Sequence, residues 1–573
     1  MDTRRLILFV IFSFSIMMLW DAWQRKDAPI LPPAAQNQAS TTADASASNN
    51  PSSASITTEQ DSSQFTLVHG QRIKVTTDLY EAEIDSNGGD LRRLVLNKHL
   101  ASDKKNGNFV LMDDSTKVMT YVAQTGLLNK ALPEGGLPNH RSVFTSASPS
   151  YTMADGEQSQ EVRLSWAGSN GIAVDKIYTF HRGSYVIDVS YQINNGSANA
   201  IAPSVYYQIV HDNQSNQGSK MMPTYTGGAY YTEADKYKKV KFADMEKNNL
   251  SVTSKDGWIG LVQHYFAGAW IIKSGIEREF YTKQLTENLF AMRVASPVGT
   301  IATGTKIDMG AKLFAGPQTK EDLLAAAPGL EFTVDYGWLT IIAKPLFWLL
   351  SKIHSFVGNW GVAIILLTIL IKAAFFKLSA TSYRSMAQMR ELAPRLQSMK
   401  EKFGDDKQKM QQAMMEMYKT EKINPLSGCL PILMQMPVFI ALYWMLSAVV
   451  EMRHAPFFGW IHDLSAPDTF FGTIPSAFPL LGGMPIGLLP LLMGATMIIQ
   501  TSLNPAPTDP VQAQVMKVMP IVFSIFFFFF PAGLVLYWLV NNILSIAQQW
   551  LINKTIHAEA TAKKAKLQGN NNS

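Results

Sequence analysis

Residues 360–376 form an apolar run, WGVAIILLTILIKAAFF, that contains a single lysine, Lys372. Placing an ionisable group inside a bilayer costs about 2.5–3.5 kcal/mol on insertion scales, so such a group usually serves a function. Thr368 precedes Lys372 by one helical turn, and the two side chains would share a helix face. Lys372 also lies near one end of the run, from which a long side chain can reach the headgroups. Position alone therefore leaves two interpretations open, a functional charge and an interfacial anchor.

A second set of polar residues lies in the last apolar segment of the chain. Their spacings of three and four predict a polar stripe along one helix, made of Tyr537, Asn541, Ser545, Gln548 and Gln549. Gln435 lies in another apolar segment, beside Pro431 and Pro437. Polar side chains in membrane spans face protein or water rather than lipid. Hydrogen bonds between helices would explain each residue separately, whereas convergence with Lys372 and Thr368 on one water-filled cavity is the more specific hypothesis.

The apolar segments that carry these residues are predicted to span a membrane. The second half of the chain contains five of them, at 360–376, 425–450, 486–503, 515–530 and 532–552. We assign 357–376 to one span and 425–552 to four spans with short loops. Residues 1–23 place Arg4 and Arg5 before a further apolar stretch that lacks a small-x-small cleavage site, which predicts an uncleaved signal-anchor.

The distribution of lysine and arginine predicts the orientation of these spans. Both residue types are concentrated in 377–424 and in the tail 553–573, and they are scarce in 451–485 and 530–533. Basic loops remain in the cytoplasm. The sequence therefore predicts six spans with both termini in the cytoplasm.

The region between the first two spans is predicted to be a separate domain outside the membrane. Residues 24–64 are rich in Ala, Ser, Thr, Pro and Asn and read as a flexible linker, because this composition cannot bury a core. Residues 65–335 are short segments of alternating polarity separated by Gly and Asn turns, which predicts an antiparallel β-sandwich. Residues 336–356 are apolar with two lysines and flanking tryptophans, as expected of an amphipathic helix in the membrane interface. The predicted fold class is a polytopic α-helical membrane protein with a β-sandwich domain.

The basic loop 377–424 has helical periodicity on both sides of a break at Gly404, Asp405 and Asp406, which predicts a two-helix hairpin. Its methionines either pack the two helices together or form an adaptable surface for apolar partners. The candidate interaction residues of this hairpin are Met386, Met389, Arg390, Asp405 and Asp406.

Short strings spread over most of the chain resemble the YidC family of membrane protein insertases, in its Gram-negative form with a large periplasmic domain. In the β-domain they are GWIG at 257–260 and QHYF at 263–266. In the second half they are VDYGW at 334–338, YRSMAQMR at 383–390, NPLSGCLPILMQMP at 424–437, EMRHAP at 451–456, WIHDLS at 460–465 and PAGLVLY at 531–537. The resemblance implies an inner-membrane insertase with a five-helix core.

The resemblance also implies a site. Family members place one basic residue in a hydrophilic groove that opens to the cytoplasm and to lipid, and alignment on the SMAQMR string assigns this role to Lys372. The family more often has arginine there, so Lys372 keeps the charge but lacks the planar, multi-donor guanidinium. Thr368 also matches a groove position. The family's aromatic pair falls on Tyr537 and Trp538, where the second position is often tyrosine.

The partners implied are nascent inner-membrane proteins, Sec translocon components, membrane lipids, and a ribosome or targeting factor at the hairpin and tail. Insertion and assisted folding would proceed alone or with the translocon. The sequence offers no P-loop string and no run of basic residues interleaved with aromatics, which argues against nucleotide and nucleic-acid binding. Cys429 is the sole cysteine, so an internal disulfide or a cysteine-cluster metal site is excluded. We expect no cofactor, no metal and no enzymatic activity.

Two alternatives come from other functional classes. A polytopic transporter would use Lys372 as a substrate or proton site, but it would be expected to show inverted repeats. A sugar-binding or enzymatic β-domain is the other alternative, because this domain of the family resembles sugar-epimerase sandwiches. His264 would be its candidate residue, and a histidine packed in the core is the competing interpretation.

Overall fold

The computed structural model describes residues 67–570, except 102–106, 115–118, 130, 133–134, 214–223, 404–405, 422–429, 476–481 and 505–509. The signal-anchor and linker predicted for 1–23 and 24–64 lie outside the described residues, and so does Asp405.

The first half of the described chain consists almost entirely of β-strands. In chain order they are β1 (Arg72–Thr76), β2 (Tyr80–Asp85), β3 (Asp90–Leu100), β4 (Asn108–Met112), β5 (Tyr121–Leu128), β6 (Thr145–Ser146), β7 (Ser150–Thr152), β8 (Ser159–Ala167), β9 (Ile172–His181), β10 (Val186–Asn195), β11 (Ser204–Asp212), β12 (Gly227–Thr232), β13 (Lys236–Val240), β14 (Ser251–Ser254), β15 (Trp258–Gln263), β16 (Phe266–Ile272), β17 (Arg278–Thr286), β18 (Leu289–Pro297) and β19 (Lys306–Pro317). A short helix, α1 (Phe242–Met245), follows β13.

These strands form two sheets that pack face to face. One sheet has the order β14-β17-β18-β11-β5-β3-β2-β1-β7, with β4 paired to β3, and the other has the order β13-β12-β15-β16-β19-β10-β9-β8-β6. Pairing is antiparallel except between β1 and β7. Alternate residues of β10, such as Ile187 and Val189, are fully buried between the sheets, as period-2 polarity predicts. The predicted antiparallel β-sandwich is confirmed, apart from this one parallel pair.

The second half of the chain is helical. Its helices are α2 (Lys320–Ala326), α3 (Thr340–Val357), α4 (Trp360–Ala374), α5 (Phe376–Glu391), α6 (Ala393–Phe403), α7 (Lys407–Thr420), α8 (Leu430–Ala448), α9 (Leu488–Ser502), α10 (Pro510–Phe527) and α11 (Ala532–Asn570). None of the described helices is long and apolar enough to cross a membrane alone. Trp360–Ala374 and Phe376–Arg390 are long and apolar enough when taken together, but the chain bends by 67° between them.

Helix α3 occupies the segment predicted as an interfacial helix. Pro345 lies inside the helix without ending it. One face buries Ala343 and Phe347 in the core of the helical part, while Ile341 and Trp348 on the other face are exposed. The assignment of this helix to the membrane interface stays a prediction.

The segment predicted as a two-helix hairpin contains three helices. Met386, Met389 and Arg390 lie on α5, which continues from the bend after α4, and the antiparallel pair is formed by α6 and α7. An ion pair of 2.7 Å between Arg395 and Glu421 joins the start of α6 to the end of α7. Asp406 caps the N-terminus of α7 by accepting a hydrogen bond from the backbone of residue 409.

Candidate substrate groove

Helices α4, α5 and α8 line a small, open cavity next to Lys372. The lining residues are Ile371, Lys372, Phe375, Leu378, Ser379, Gln435 and Val438. The helices form locally because they are apolar for several turns, and α4 ends at Phe375, where the chain bends into α5. The bend turns the last residues of α4 and the first of α5 toward the same space, so that polar and apolar side chains share one wall.

Lys372 points across this space toward α11. Its Nζ donates a hydrogen bond of 2.7 Å to the Ser545 hydroxyl, which in turn donates to the Asn541 carbonyl at 2.7 Å. Tyr383 of α5 also shares a hydrogen bond with the Ser545 side chain. In the part of the chain that the structure describes, no carboxylate forms an ion pair with Lys372. The ammonium charge is thus oriented by hydroxyl and amide groups but not neutralised.

Gln435 forms the opposite wall. Its side-chain amide donates a hydrogen bond to the Asn541 side-chain oxygen, which joins α8 to α11. Four predicted groove residues are therefore linked through two short hydrogen-bonded paths: Lys372, Gln435, Asn541 and Ser545.

The structure does not bring every predicted groove residue to the cavity. Thr368 is 1% exposed, and its hydroxyl donates to the Ile364 carbonyl of its own helix. Tyr537 and Trp538 pack around Phe439, at ring distances of 6.4 and 4.4 Å. The indole nitrogen of Trp538 is buried without a hydrogen-bond partner among the described residues. Neither ring lines the cavity, although the Tyr537 hydroxyl lies near the side chain of Gln435, which does.

The polar stripe of α11 divides between two neighbours. Gln548 donates to the Phe376 carbonyl at 3.1 Å, which satisfies the backbone at the bend between α4 and α5. Gln549 instead donates to the Leu503 carbonyl and to Asn504, at the end of α9. Gln549 therefore supports the ordinary interhelical interpretation, because adjacent residues of a helix point about 100° apart.

Two residues that contribute to the site were not singled out in the sequence. Ser379 lines the cavity, and Tyr383 reaches Ser545 from α5. Tyr383 is the first residue of the YRSMAQMR string, and this string is the sequence signal that could have identified it as a site residue. Both were overlooked because α5 was interpreted as part of a loop away from the groove.

Comparison with known proteins identifies the family. Residues 72–349 match the family model of the YidC periplasmic domain, and residues 352–560 match the model of the 60Kd inner membrane protein. A relative from Methylobacillus flagellatus, named membrane protein insertase YidC, is 61% identical over 98% of this chain and 99% of its own. The chain belongs to the YidC family of membrane protein insertases. A relative of the same name from Cupriavidus necator is 47% identical over 99% of this chain and all of its own.

Members of this family are inner-membrane insertases with a periplasmic domain, and residues 72–349 of this chain match the model of that domain. Among solved structures, one titled as an active YidC insertase with the first transmembrane domain resolved covers 84% of this chain and 92% of its own, with 18% identity and a TM-score of 0.37. A galactose mutarotase-like protein from Lactobacillus casei covers 43% of this chain and 99% of its own, with 9% identity and a TM-score of 0.30. Neither likeness is close enough to assign a ligand or a site to this chain.

Proposed function

We propose that this insertase receives the polar, exported loop of a nascent inner-membrane protein in the cavity at Lys372. The observation that carries the proposal is the lysine charge, which lies in an open cavity and is bonded to a neutral hydroxyl. A substrate carboxylate can therefore bind Lys372 without displacing an ion-pair partner belonging to the described part of the chain. At about 4 Å and an effective dielectric constant near 20, such a pair gains roughly 4 kcal/mol before desolvation is counted.

The groove lowers the cost of moving a polar loop partway across the membrane. An amide or hydroxyl group that enters hydrocarbon unpaired costs about 4–8 kcal/mol on a water-to-cyclohexane scale. Gln435 and Ser379 line the cavity and offer hydrogen-bond partners there. About twenty apolar residues of the substrate then supply the driving force for leaving the groove, so no nucleotide is required.

The apolar segment of the substrate would move along the open sides of α8 and α10. Exposed apolar side chains cover these sides: Met436 and Trp444 on α8, and Ile521, Val522, Ile525 and Phe526 on α10. This surface is continuous with the lipid, so the segment enters the bilayer while its polar neighbour is still sheltered.

The proposal includes a topology. Six spans around a five-helix core, with both termini and the α6–α7 pair in the cytoplasm, follow from the lysine and arginine distribution. The groove would then open to the cytoplasm, where α6 and α7 project toward the ribosome or a targeting factor. Exposed Met415 of α7 supports an apolar contact there, and the Sec translocon is a further proposed partner.

The decisive experiment compares Lys372→Ala, Lys372→Glu and Lys372→Arg on paired substrates that differ only in the charge of the exported loop. Lys372→Arg should insert both substrates, since the charge is kept. The other two variants should lose about ten-fold or more with the acidic loop and much less with the neutral loop, because a tenfold change needs only about 1.4 kcal/mol. If Lys372→Ala inserts both substrates as well as the unmodified protein does, the charge has no part in capture.

A matched control separates this role from interfacial anchoring. Lys377 is exposed on α5 and lies five positions further along the chain, so Lys377→Ala removes the same charge outside the cavity. We expect it to leave the preference for acidic loops unchanged. A lysine restored one turn further along, in Lys372→Gln with Phe376→Lys, would recover activity if Lys372 were only an anchor.

A further inference from the structure

The outer face of α3 combines exposed apolar side chains with two lysines. Ile341, Trp348 and Phe356 are 87%, 58% and 88% exposed. Lys344 and Lys352 are exposed as well. Spacings of three and four residues place all five side chains within about 120° of the helix circumference, because successive residues of a helix are about 100° apart. One face of α3 therefore carries a cation on each side of an indole ring.

The inner face of α3 fixes the direction in which this outer face points. Ala343, Phe347 and Leu350 are buried in the core of the helical part, together with Ile364 of α4 and Met445 of α8. Turning α3 about its axis would expose these side chains, and burying a Phe or Leu side chain is worth about 1.5–3 kcal/mol. The outer face therefore stays directed away from the helical core, and its occupant comes from outside the described chain.

The connection between α3 and α4 places this face beside a predicted membrane span. Gly358 ends α3 in the left-handed conformation, with a φ of 68°, which glycine adopts without strain. Asn359 then caps α4 by accepting a hydrogen bond of 3.1 Å from the backbone of residue 362, and α4 begins at Trp360. Because only two residues join the helices, the end of α3 lies level with the first residues of α4. The chain belongs to a family of inner-membrane proteins, so the material beside Phe356 at this level is lipid.

The charge of this face is positive and is not neutralised by the described chain. Residues 340–357 contain no aspartate or glutamate. Asp335, the carboxylate that precedes the helix, pairs with Lys239. The Nζ atom of Lys344 lies 5.2 Å from the centre of the Phe332 ring, a contact that retains the full charge. Within the described ranges, no carboxylate forms an ion pair with Lys344 or Lys352, so the surface is complementary to an anion.

We infer that the outer face of α3 binds anionic phospholipids, with headgroup phosphates at Lys344 and Lys352 and acyl chains against Trp348 and Phe356. The two lysines are about 12 Å apart along the helix axis, so each binds a separate headgroup. A lysine stem lies along apolar surface while its ammonium group reaches the headgroup, and tryptophan favours the same depth. Each lysine near a lipid surface gives a preference of about five-fold for an anionic lipid. This lipid site is independent of loop capture at Lys372.

The test measures which lipid lies next to α3 in the full-length protein. A fluorophore is attached at Ser355→Cys, exposed and one turn from Lys352, in protein carrying Cys429→Ser. The protein is reconstituted in vesicles of phosphatidylcholine and phosphatidylglycerol, with bromine on the acyl chains of one lipid or the other to quench the fluorophore. The variants are Lys344→Gln, Lys352→Gln and both together. Lys344→Arg keeps the charge, and Lys306→Gln is the matched control, because Lys306 is an exposed lysine of the sandwich.

We expect brominated phosphatidylglycerol to quench more than its share of the vesicle lipid. This preference should fall about five-fold in each single glutamine variant and disappear in the double variant, and it should persist in Lys344→Arg and Lys306→Gln. It should also weaken as the ionic strength rises from about 0.1 M to about 1 M, because the screening length falls from about 10 Å to about 3 Å. Quenching with both lipids brominated should not change, since the apolar side chains hold α3 against lipid. A preference that is absent from the unmodified lysines, or that survives the double variant, would overturn the inference. Absence of quenching by either lipid would overturn it as well, and would assign the outer face of α3 to a protein partner.

Discussion

Lys372 differs from most buried charges in proteins because its partner is a hydroxyl. A lysine with a carboxylate partner is neutralised in place, and removing either member usually destabilises the fold. The bond from Lys372 to Ser545 orients the ammonium group and leaves its charge available. At the residue scale, therefore, substitutions here should change which substrates are inserted more than they change folding.

His99, on β3, gives the sandwich a pH dependence. Its ring packs edge-on against Phe266, and burial, with the nearby charges of Arg453 and His454, lowers its pKa from 6.5 to about 4. The unfolded chain binds a proton at about pH 6.5 and the folded chain does not, so stability falls as the pH drops from 6.5 toward 4 and is constant above that window. We expect the melting temperature to be lower at pH 5 than at pH 7.

His99→Gln checks this prediction, because glutamine keeps an acceptor for Tyr185 but does not titrate. The fall in melting temperature between pH 7 and pH 5 should become smaller in this variant. His181→Gln serves as the comparison, since His181 is partly exposed. An equal loss of stability in unmodified protein and His99→Gln would assign the pH effect to other groups.

At the scale of elements, the bend between α4 and α5 creates the cavity. The 67° bend places Lys372 near the end of one helix and Leu378 and Ser379 near the start of the next around the same cavity. Gln548 of α11 stabilises the bend by donating to the Phe376 carbonyl. The position of α5 relative to α11 therefore depends on a side chain of α11, which is not one of the two helices that form the bend.

Gln548→Ala and Gln549→Ala form a matched pair that tests this role. The first removes the contact with the bend, and the second removes contacts with the end of α9. Each should cost about 1 kcal/mol of stability, the usual value of one hydrogen bond. Only Gln548→Ala should also change the alkylation rate of Ser379→Cys and reduce insertion. Equal effects of the two variants on alkylation would show that the bend does not depend on Gln548.

At the scale of the whole molecule, the sandwich and the α6–α7 pair are predicted to lie on opposite sides of the membrane. The lysine and arginine distribution is the basis of this prediction. In a Cys429→Ser background, an impermeant thiol reagent added outside the inner membrane should label Val143→Cys on the sandwich and leave Asp406→Cys at the start of α7 unlabelled. Disruption of the membrane should then expose position 406. Labelling of position 406 in intact membranes would reject the topology.

The sequence predicted those features that depend on local pattern. Alternation of polarity in segments such as β10 gives the sandwich. Spacing also placed Asn541 and Ser545 on one face. Spacing could not show that Gln549 faces α9 or that Tyr383 reaches Ser545, because these contacts depend on where the neighbouring helices lie. It also could not show that α11 continues through the predicted tail to Asn570, because a run of good helix formers does not mark where a helix ends. The contact of His264 with the Ser447 carbonyl was equally hidden, because the two residues lie 183 positions apart in the sequence.

The neutral partner of Lys372 has a consequence for the energy source of transport. The bacterial inner membrane is negative inside, so an acidic loop moving outward gains about 2.3 kcal/mol per charge for each 100 mV. This is comparable with the attraction of roughly 4 kcal/mol that would hold a substrate carboxylate at Lys372 in the proposed groove. Under that proposal the voltage releases the captured loop, and no internal carboxylate of the described chain competes for the lysine. Collapsing the membrane potential with an ionophore should slow acidic loops and spare neutral ones; equal slowing of both would show that voltage acts elsewhere.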